Sequence, residues 1–327
     1  MAVYTPLSNE VIAAHLGQCY SVGRLDNATG IVQGVENTNY LLAVTRPDGA
    51  AENYILTLYE KRTDPADLPF FLGLLQYLAA RGIACPKPVM RRDGALFGAL
   101  AGKQAALVSF LRGESCRHIG TAQAASVGAA LGQLHRAGEG FPLTRRNTLA
   151  LAGWQEIHAK IAGRLDEIAP GLEALVRDEM DYAAQHFLQN EDLPTGIIHA
   201  DLFPDNVFFV GDEVSGIIDF YFACRDRLAY DVAITLNAWC FEPDGAFSPQ
   251  KSQALLAQYQ QQRPFMAAER AAFPALLRGA ALRFLLTRAH DWLTHDPQAL
   301  VQPHDPREYA AKLRFHRQAD GAGLYGI

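Results

Sequence analysis

A chain of 327 residues and 35.8 kDa is long enough for two lobes, each with its own core. With 49% hydrophobic and 20% charged residues it reads as an ordinary globular protein, not a disordered or membrane-spanning one. The net charge of −6, with no basic stripe, argues against nucleic acid as a partner.

Five cysteines (Cys19, Cys85, Cys116, Cys224, Cys240) are scattered without a C-x-x-C pair. That spacing argues against a zinc site or a disulfide framework and suits a reducing compartment. The opening residues MAVYTPLSNEVIAAHL lack the basic and apolar regions of a signal peptide. The longest near-apolar stretch, GALFGALAG, is about half the length that spans a bilayer. The expectation is a cytoplasmic protein with no membrane anchor; oligomeric state is not legible.

In chain order, Ser8 caps a first helix through NEVIAAHLG. Short runs rich in Val, Ile, Leu and Tyr at 30–36, 38–45 and 53–60 predict strands, the last two joined as a hairpin by RPDGAAE. The period changes at 67–82, where Leu68, Phe71, Leu72, Leu75 and Leu78 recur at helical spacing before Gly82. IACPKPV must be extended, because each Pro disfavours helix in the residue before it. ALFGAL and QAALVSFL predict two more strands. Helical patterns follow at 121–138, 154–168, 170–190, 249–262, 266–294 and 306–317. They are interrupted at 196–222 by short strands around tight loops.

Within that interruption lies GIIHADLFPDNVFFV, and 18 residues after Asp201 comes Asp219, at the end of a second apolar strand. FPDN alone would read as a turn. The combination H-x-D-x-x-x-x-N with a trailing Asp supplies what phosphoryl transfer from a nucleotide needs. One carboxylate positions the attacking hydroxyl and takes its proton, while an amide oxygen and a second carboxylate suit Mg²⁺ on the phosphates.

These residues resemble the catalytic and metal loops of the aminoglycoside phosphotransferase-like kinases, relatives of protein kinases. NATGIVQGVENTNYLLAV, YILTLYEKRTDPADLPFFLGLLQYLAARGIACPKPV, HADLFPDNVFF and LRFLLTRAHDWL together resemble the bacterial homoserine kinases of that superfamily. The resemblance implies a bilobal, protein-kinase-like α+β fold. Residues 1–108 would form a nucleotide-binding lobe, 109–113 a hinge, and 114–327 a catalytic and substrate-binding lobe.

It also implies ATP as donor, Mg²⁺ as cofactor and L-homoserine as acceptor. Asp201 would be the base, His199 a structural imidazole, and Asn206 and Asp219 the Mg²⁺ ligands. Gly30, Gly34, Asn37, Thr38 and Asn39 fall where a turn covers the phosphates, and Phe110 and Leu111 where the hinge backbone meets adenine. Many relatives carry Lys or Arg at the centre of the third strand; here Thr57 stands there, and Lys61 or Arg62 is the nearby alternative. Arg288, Asp291 and Trp292, at i, i+3 and i+4, offer an amino-acid pocket, and Asp205 a further partner for an ammonium group.

Some of these residues have plainer readings. Gly30 and Gly34 suit hairpin geometry equally well. Asp231 reads as a structural acid that caps a helix and, in relatives, braces the catalytic loop. His135 reads as a helix C-terminal residue favoured by the dipole. Rival functions are a kinase for choline, ethanolamine, methylthioribose or an aminoglycoside, or a catalytically silent nucleotide-binding protein of the same fold.

Overall fold

The computed structural model describes residues 4–31, 37–60, 64–116, 118–186, 192–296, 302–319 and 321–327. It divides into two units, Met1–Gly113 with Ser215–Tyr221, and Glu114–Val214 with Phe222–Ile327.

The first unit is built on a five-stranded antiparallel sheet in the order β1-β2-β3-β5-β4. Its strands are β1 (Arg24–Ile31), β2 (Thr38–Thr45), β3 (Ala51–Tyr59), β4 (Gly98–Leu100) and β5 (Lys103–Ser109). β2 alternates buried and half-buried residues along its whole length, the period-two signature of a strand with one face on a core. Leu42, Leu56, Leu58 and Leu107 on that face pack with Ile12, Leu16 and Tyr20, which come from and just after helix α1 (Asn9–Cys19). Ser8 caps α1, its Oγ accepting the Val11 N–H at 3.4 Å. The second helix, α2 (Leu68–Ala79), has seven fully buried residues and follows the predicted segment.

β1 begins at Arg24, ahead of the expected 30–36. Its residues RLDNAT are mostly exposed on the edge of the sheet. An edge strand with one wet face has little apolar content for a sequence pattern to find.

The second unit is mostly helical, as the sequence led us to expect. It holds α3 (Thr121–Ala137), α4 (Leu151–Ile161), α5 (Leu172–His186), α6 (Leu228–Trp239), α7 (Pro249–Gln262), α8 (Ala267–Thr294) and α9 (Pro306–Gln318). α3 and α7 meet at Gly128 and Gly132; a Cβ at Gly128 would collide with the Leu255 carbonyl, so the close approach requires glycine. Short strands frame the central loop. β7 (Thr195–Ile198) pairs antiparallel with β10 (Cys224–Arg227), and β8 (Val207–Val210) pairs with β6 (Glu114–Ser115). β8 turns into β9 (Glu213–Ile217), which leads out of the unit at Ser215.

The strand β10 is absent from the sequence expectation, and α6 was signalled there only by Asp231 as a capping acid, not by a helical pattern. Eleven of the twelve residues of α6 are buried, so it has no polar face and hence no 3.6-residue periodicity. All five cysteines are free thiols. Among the described residues no helix is long and apolar enough to cross a membrane.

Candidate active site

The polar loop begins where β7 ends. His199 is fully buried, and its Nδ1 accepts the Asp201 N–H at 3.2 Å, which assigns the ring proton to Nε2. Ala200 follows with φ +63°, a left-handed conformation strained for a residue with a Cβ. That turn of the backbone brings up Asp201, which is half-buried. Beyond it Pro204–Asn206 form one turn of 3₁₀ helix, tied back by Asn206 N–H to the Phe203 carbonyl at 3.0 Å.

Asn206 turns its amide nitrogen toward Asp201, donating to the backbone carbonyl at 2.9 Å and to Oδ2 at 3.2 Å. With Nδ2 committed, Oδ1 is the amide atom left to accept or coordinate. It is a hard oxygen donor of the kind Mg²⁺ takes, so the arrangement at Asn206 fits a magnesium ligand. Asp219 lies in the other unit, just after β9, and has φ +63°.

Helices of the second unit brace the loop from behind. Asp231, in the first turn of α6, is fully buried. It accepts the His199 N–H on Oδ2 at 2.7 Å and the Ala200 N–H on Oδ1 at 2.8 Å. Burial pushes its carboxyl up, but the hydrogen bonds it shares with the His135 ring and the His199 N–H outweigh this and hold it below the ordinary value. His135 Nε2 meets Asp231 Oδ2 at 3.1 Å, and its Nδ1 meets the Tyr259 hydroxyl at 2.9 Å. Trp239 Nε1 donates to the Leu202 carbonyl at 2.8 Å, and the Phe203 ring packs 4.9 Å from Phe284 on α8.

His135 thus corrects the dipole reading. It does sit in the last turn of α3, but it is 1% exposed and serves the Asp231 network. A histidine's partners lie far away in sequence, so spacing alone could not find them.

Of the residues expected at the nucleotide, Gly34 and Lys61 lie outside the described residues. Gly30 is the penultimate residue of β1, and Phe110 and Leu111 follow β5, with Phe110 exposed. The side chains of 37–39 have local partners. Asn37 Oδ1 accepts the Glu60 N–H at 3.1 Å, and the Thr38 hydroxyl donates to Glu60 at 2.9 Å. The Thr57 hydroxyl donates to Asn39 Oδ1 at 2.7 Å, so this threonine, near the end of β3, is a partner for the start of β2. Lys103, at the start of β5, pairs with Glu60 at 2.9 Å, a cation near the end of β3 that the sequence pattern did not single out.

The substrate candidates separate. Asp205 is exposed on the polar loop. Arg288, on α8, donates to Glu308 of α9 at 2.6 Å and stands 4.5 Å from the centre of the Tyr309 ring. Asp291 and Trp292 are exposed, beside His290 and Arg307 respectively. Helical spacing brings i, i+3 and i+4 to one side but does not fix which of them faces inward. The residues sequence reasoning missed here are Glu308 and Arg283, whose partners lie on other elements.

The class follows from comparison with known proteins. The model of the phosphotransferase enzyme family matches residues 27–268, and the chain belongs to that family. The likeness to bacterial homoserine kinases extends over the whole chain. It is 54% identical to the homoserine kinases of Rhizobium rhizogenes and Azorhizobium caulinodans, each match covering 100% of this chain and 99% of the relative. Among solved structures, the microcompartment-associated aminopropanol kinase aligns with a TM-score of 0.68 at 19% identity, covering 95% of this chain and 97% of that one. An amicoumacin kinase in complex with AMP-PNP and Ca²⁺ aligns with a TM-score of 0.67 at 18% identity, covering 95% and 93%. These two show a shared fold, in line with the expected bilobal kinase-like α+β class.

Proposed function

We propose that this chain transfers the γ-phosphoryl group of ATP to the side-chain hydroxyl of L-homoserine, giving O-phospho-L-homoserine for threonine synthesis. The observation that carries the reading is the 54% identity to homoserine kinases along the entire chain. The loop chemistry supports it: Asp201 is braced through its backbone and through Asn206, as a general base must be.

In the reaction, Asp201 orients the homoserine hydroxyl and takes its proton as the oxygen attacks the γ-phosphorus. The bond to the bridging oxygen breaks and ADP leaves. Asn206, through Oδ1, and Asp219 would hold Mg²⁺, both supplying hard oxygen. When bound, that ion neutralises charge developing on the phosphates. His199 keeps the Asp201 peptide in place. Gly30 on β1 and Asn37, Thr38 and Asn39 at the start of β2 would flank the phosphates, and Gly34 and Lys61 are assigned to the same nucleotide site. The side chains of 37–39 are spent within the sheet, so their part is to hold the backbone. Phe110 and Leu111 meet adenine through backbone groups.

The amino acid is a zwitterion. Arg288 suits its carboxylate and Asp205 its ammonium, with Asp291 and Trp292 further out on α8. We assign the enzyme to the cytoplasm, where ATP is supplied and free thiols stay reduced.

A coupled ADP-release assay against L-homoserine, choline, ethanolamine, methylthioribose and an aminoglycoside tests the substrate. Turnover should be highest, by kcat/KM, with homoserine. Higher kcat/KM with any of the others, or no ADP release at all, overturns the assignment.

A further inference from the structure

Arg283, in the middle of α8, is one of the largest fully enclosed side chains in the molecule, 1% exposed. Its Nη1 donates to the Ala200 carbonyl at 2.6 Å, and its guanidinium carbon lies 4.6 Å from the centre of the Phe284 ring. Among the described residues its Nε meets no acceptor. Arg278, earlier on the same helix, differs: both Glu179 oxygens meet it, at 2.6 and 2.8 Å. Burying a guanidinium costs several kcal/mol unless it is well paired, and an apolar side chain would fill this space at lower cost. Core stability is therefore a poor account of Arg283.

Besides a hydrogen bond with Tyr230, it makes one in a telling place. The peptide between Ala200 and Asp201 has its carbonyl held by Arg283 and its N–H held by His199 Nδ1. Ala200's own N–H is held by Asp231. The strained residue immediately before Asp201 is thus gripped at both polar groups, from α6 and from α8. The plane of the 200–201 peptide sets the direction in which the Asp201 side chain leaves the backbone. A charge-assisted bond resists rotation of that plane more strongly than a neutral one would.

We propose that Arg283 is a positioning residue of the phosphoryl transfer: through the Ala200 carbonyl it fixes the peptide that aims Asp201 at the substrate hydroxyl. This rests on Asp201 being the base. Arg283 itself touches neither substrate nor nucleotide in this role, so its loss should lower kcat and leave both KM values almost unchanged.

The test compares Arg283→Met and Arg283→Lys with Arg278→Ala, which removes a half-buried cation on the same helix away from the loop. Misaimed by a fraction of an ångström, Arg283→Met should lose about 10- to 100-fold in kcat, with KM for ATP and homoserine within about twofold of wild type. Arg283→Lys, with a single ammonium donor, should fall between the two. Guanidinium ion at low, non-denaturing concentration should restore part of the turnover of Arg283→Ala and none of any deficit in Arg278→Ala.

Arg283→Met with the kcat of Arg278→Ala overturns the proposal, as does an Arg283→Ala enzyme that guanidinium does not rescue. If Arg283→Met does not fold, Arg283→Lys decides, and wild-type kcat there overturns it. Asp201→Asn, assayed alongside, separates the two readings. Near-normal turnover in that variant defeats Asp201 as base, whereas a dead Asp201→Asn with an unaffected Arg283→Lys and Arg283→Met defeats only the role of Arg283.

Discussion

At Asn206 one amide is asked to do two things. Its nitrogen steadies Asp201 at 2.9 and 3.2 Å, and its oxygen is proposed as a magnesium donor. Replacing it by alanine removes both, but the metal role has its own readout. The Mg²⁺ concentration that half-saturates turnover should rise about 10- to 100-fold in Asn206→Ala, as it does when ligand-positioning groups are lost. A magnesium titration of ADP release checks this, and an unchanged half-saturation point would remove Asn206 from the metal site. The residue scale is also where sequence was most informative. His199, Asp201 and Asn206 stand within eight residues, so their spacing carried their chemistry. Asp231 and Arg283 reach the same loop from 32 and 83 positions away, and His135 backs Asp231 from 96 away, and no local pattern encodes such a meeting.

At the scale of elements, α9 is docked by a polar network. Lys312 donates to the Asn237 carbonyl at 2.8 Å and to Glu308 at 2.6 Å. His316 contacts the Asn237 side-chain oxygen at 2.6 Å and the Tyr325 hydroxyl at 2.8 Å. Burial, then the positive charges of Lys312 on its own helix and Arg278 on α8, push the His316 ring down to about 3. The native ring is therefore neutral, while in the unfolded chain it titrates near 6.5. Between those values the unfolded state binds a proton that the native state does not, so stability rises with pH and is lost as pH falls below about 6.5. Each pH unit in that window is worth about 1.4 kcal/mol at this site.

The Glu308 carboxyl, although burial pushes it up, is held below its ordinary value by Lys312 and Arg288. Urea unfolding at pH 7 and pH 5 should show wild type losing about 2 kcal/mol more than His316→Gln. Equal losses in the two proteins would show that His316 is not buried neutral. Helix α9 itself was legible from its spacing, whereas α6 showed only through Asp231 as a capping acid, because burial on every side erased the periodicity.

Over the whole molecule, the sequence makes plain a strand-rich beginning and a helical remainder, and the five-stranded sheet followed by seven further helices agrees. What it could not show was how the strand-rich unit is completed. Ser215–Tyr221, carrying Asp219, belongs with the first 113 residues although it lies a hundred positions further on. Contacts between distant segments are a matter of tertiary packing, which local propensity does not report.

The account joins a homoserine kinase reading, drawn from likeness along the full chain, to a base held on a braced loop. The most direct measurement incubates the protein with ATP, Mg²⁺ and L-homoserine and follows O-phosphohomoserine by phosphorus NMR, with wild type and Asp201→Asn side by side at saturating ATP. Wild type should accumulate the phosphomonoester. Asp201→Asn, with nucleotide affinity nearly unchanged, should be slower by about 10²- to 10⁴-fold, the range general-base catalysis supplies. A phosphoester formed at the same rate by both proteins, or by neither, would contradict it.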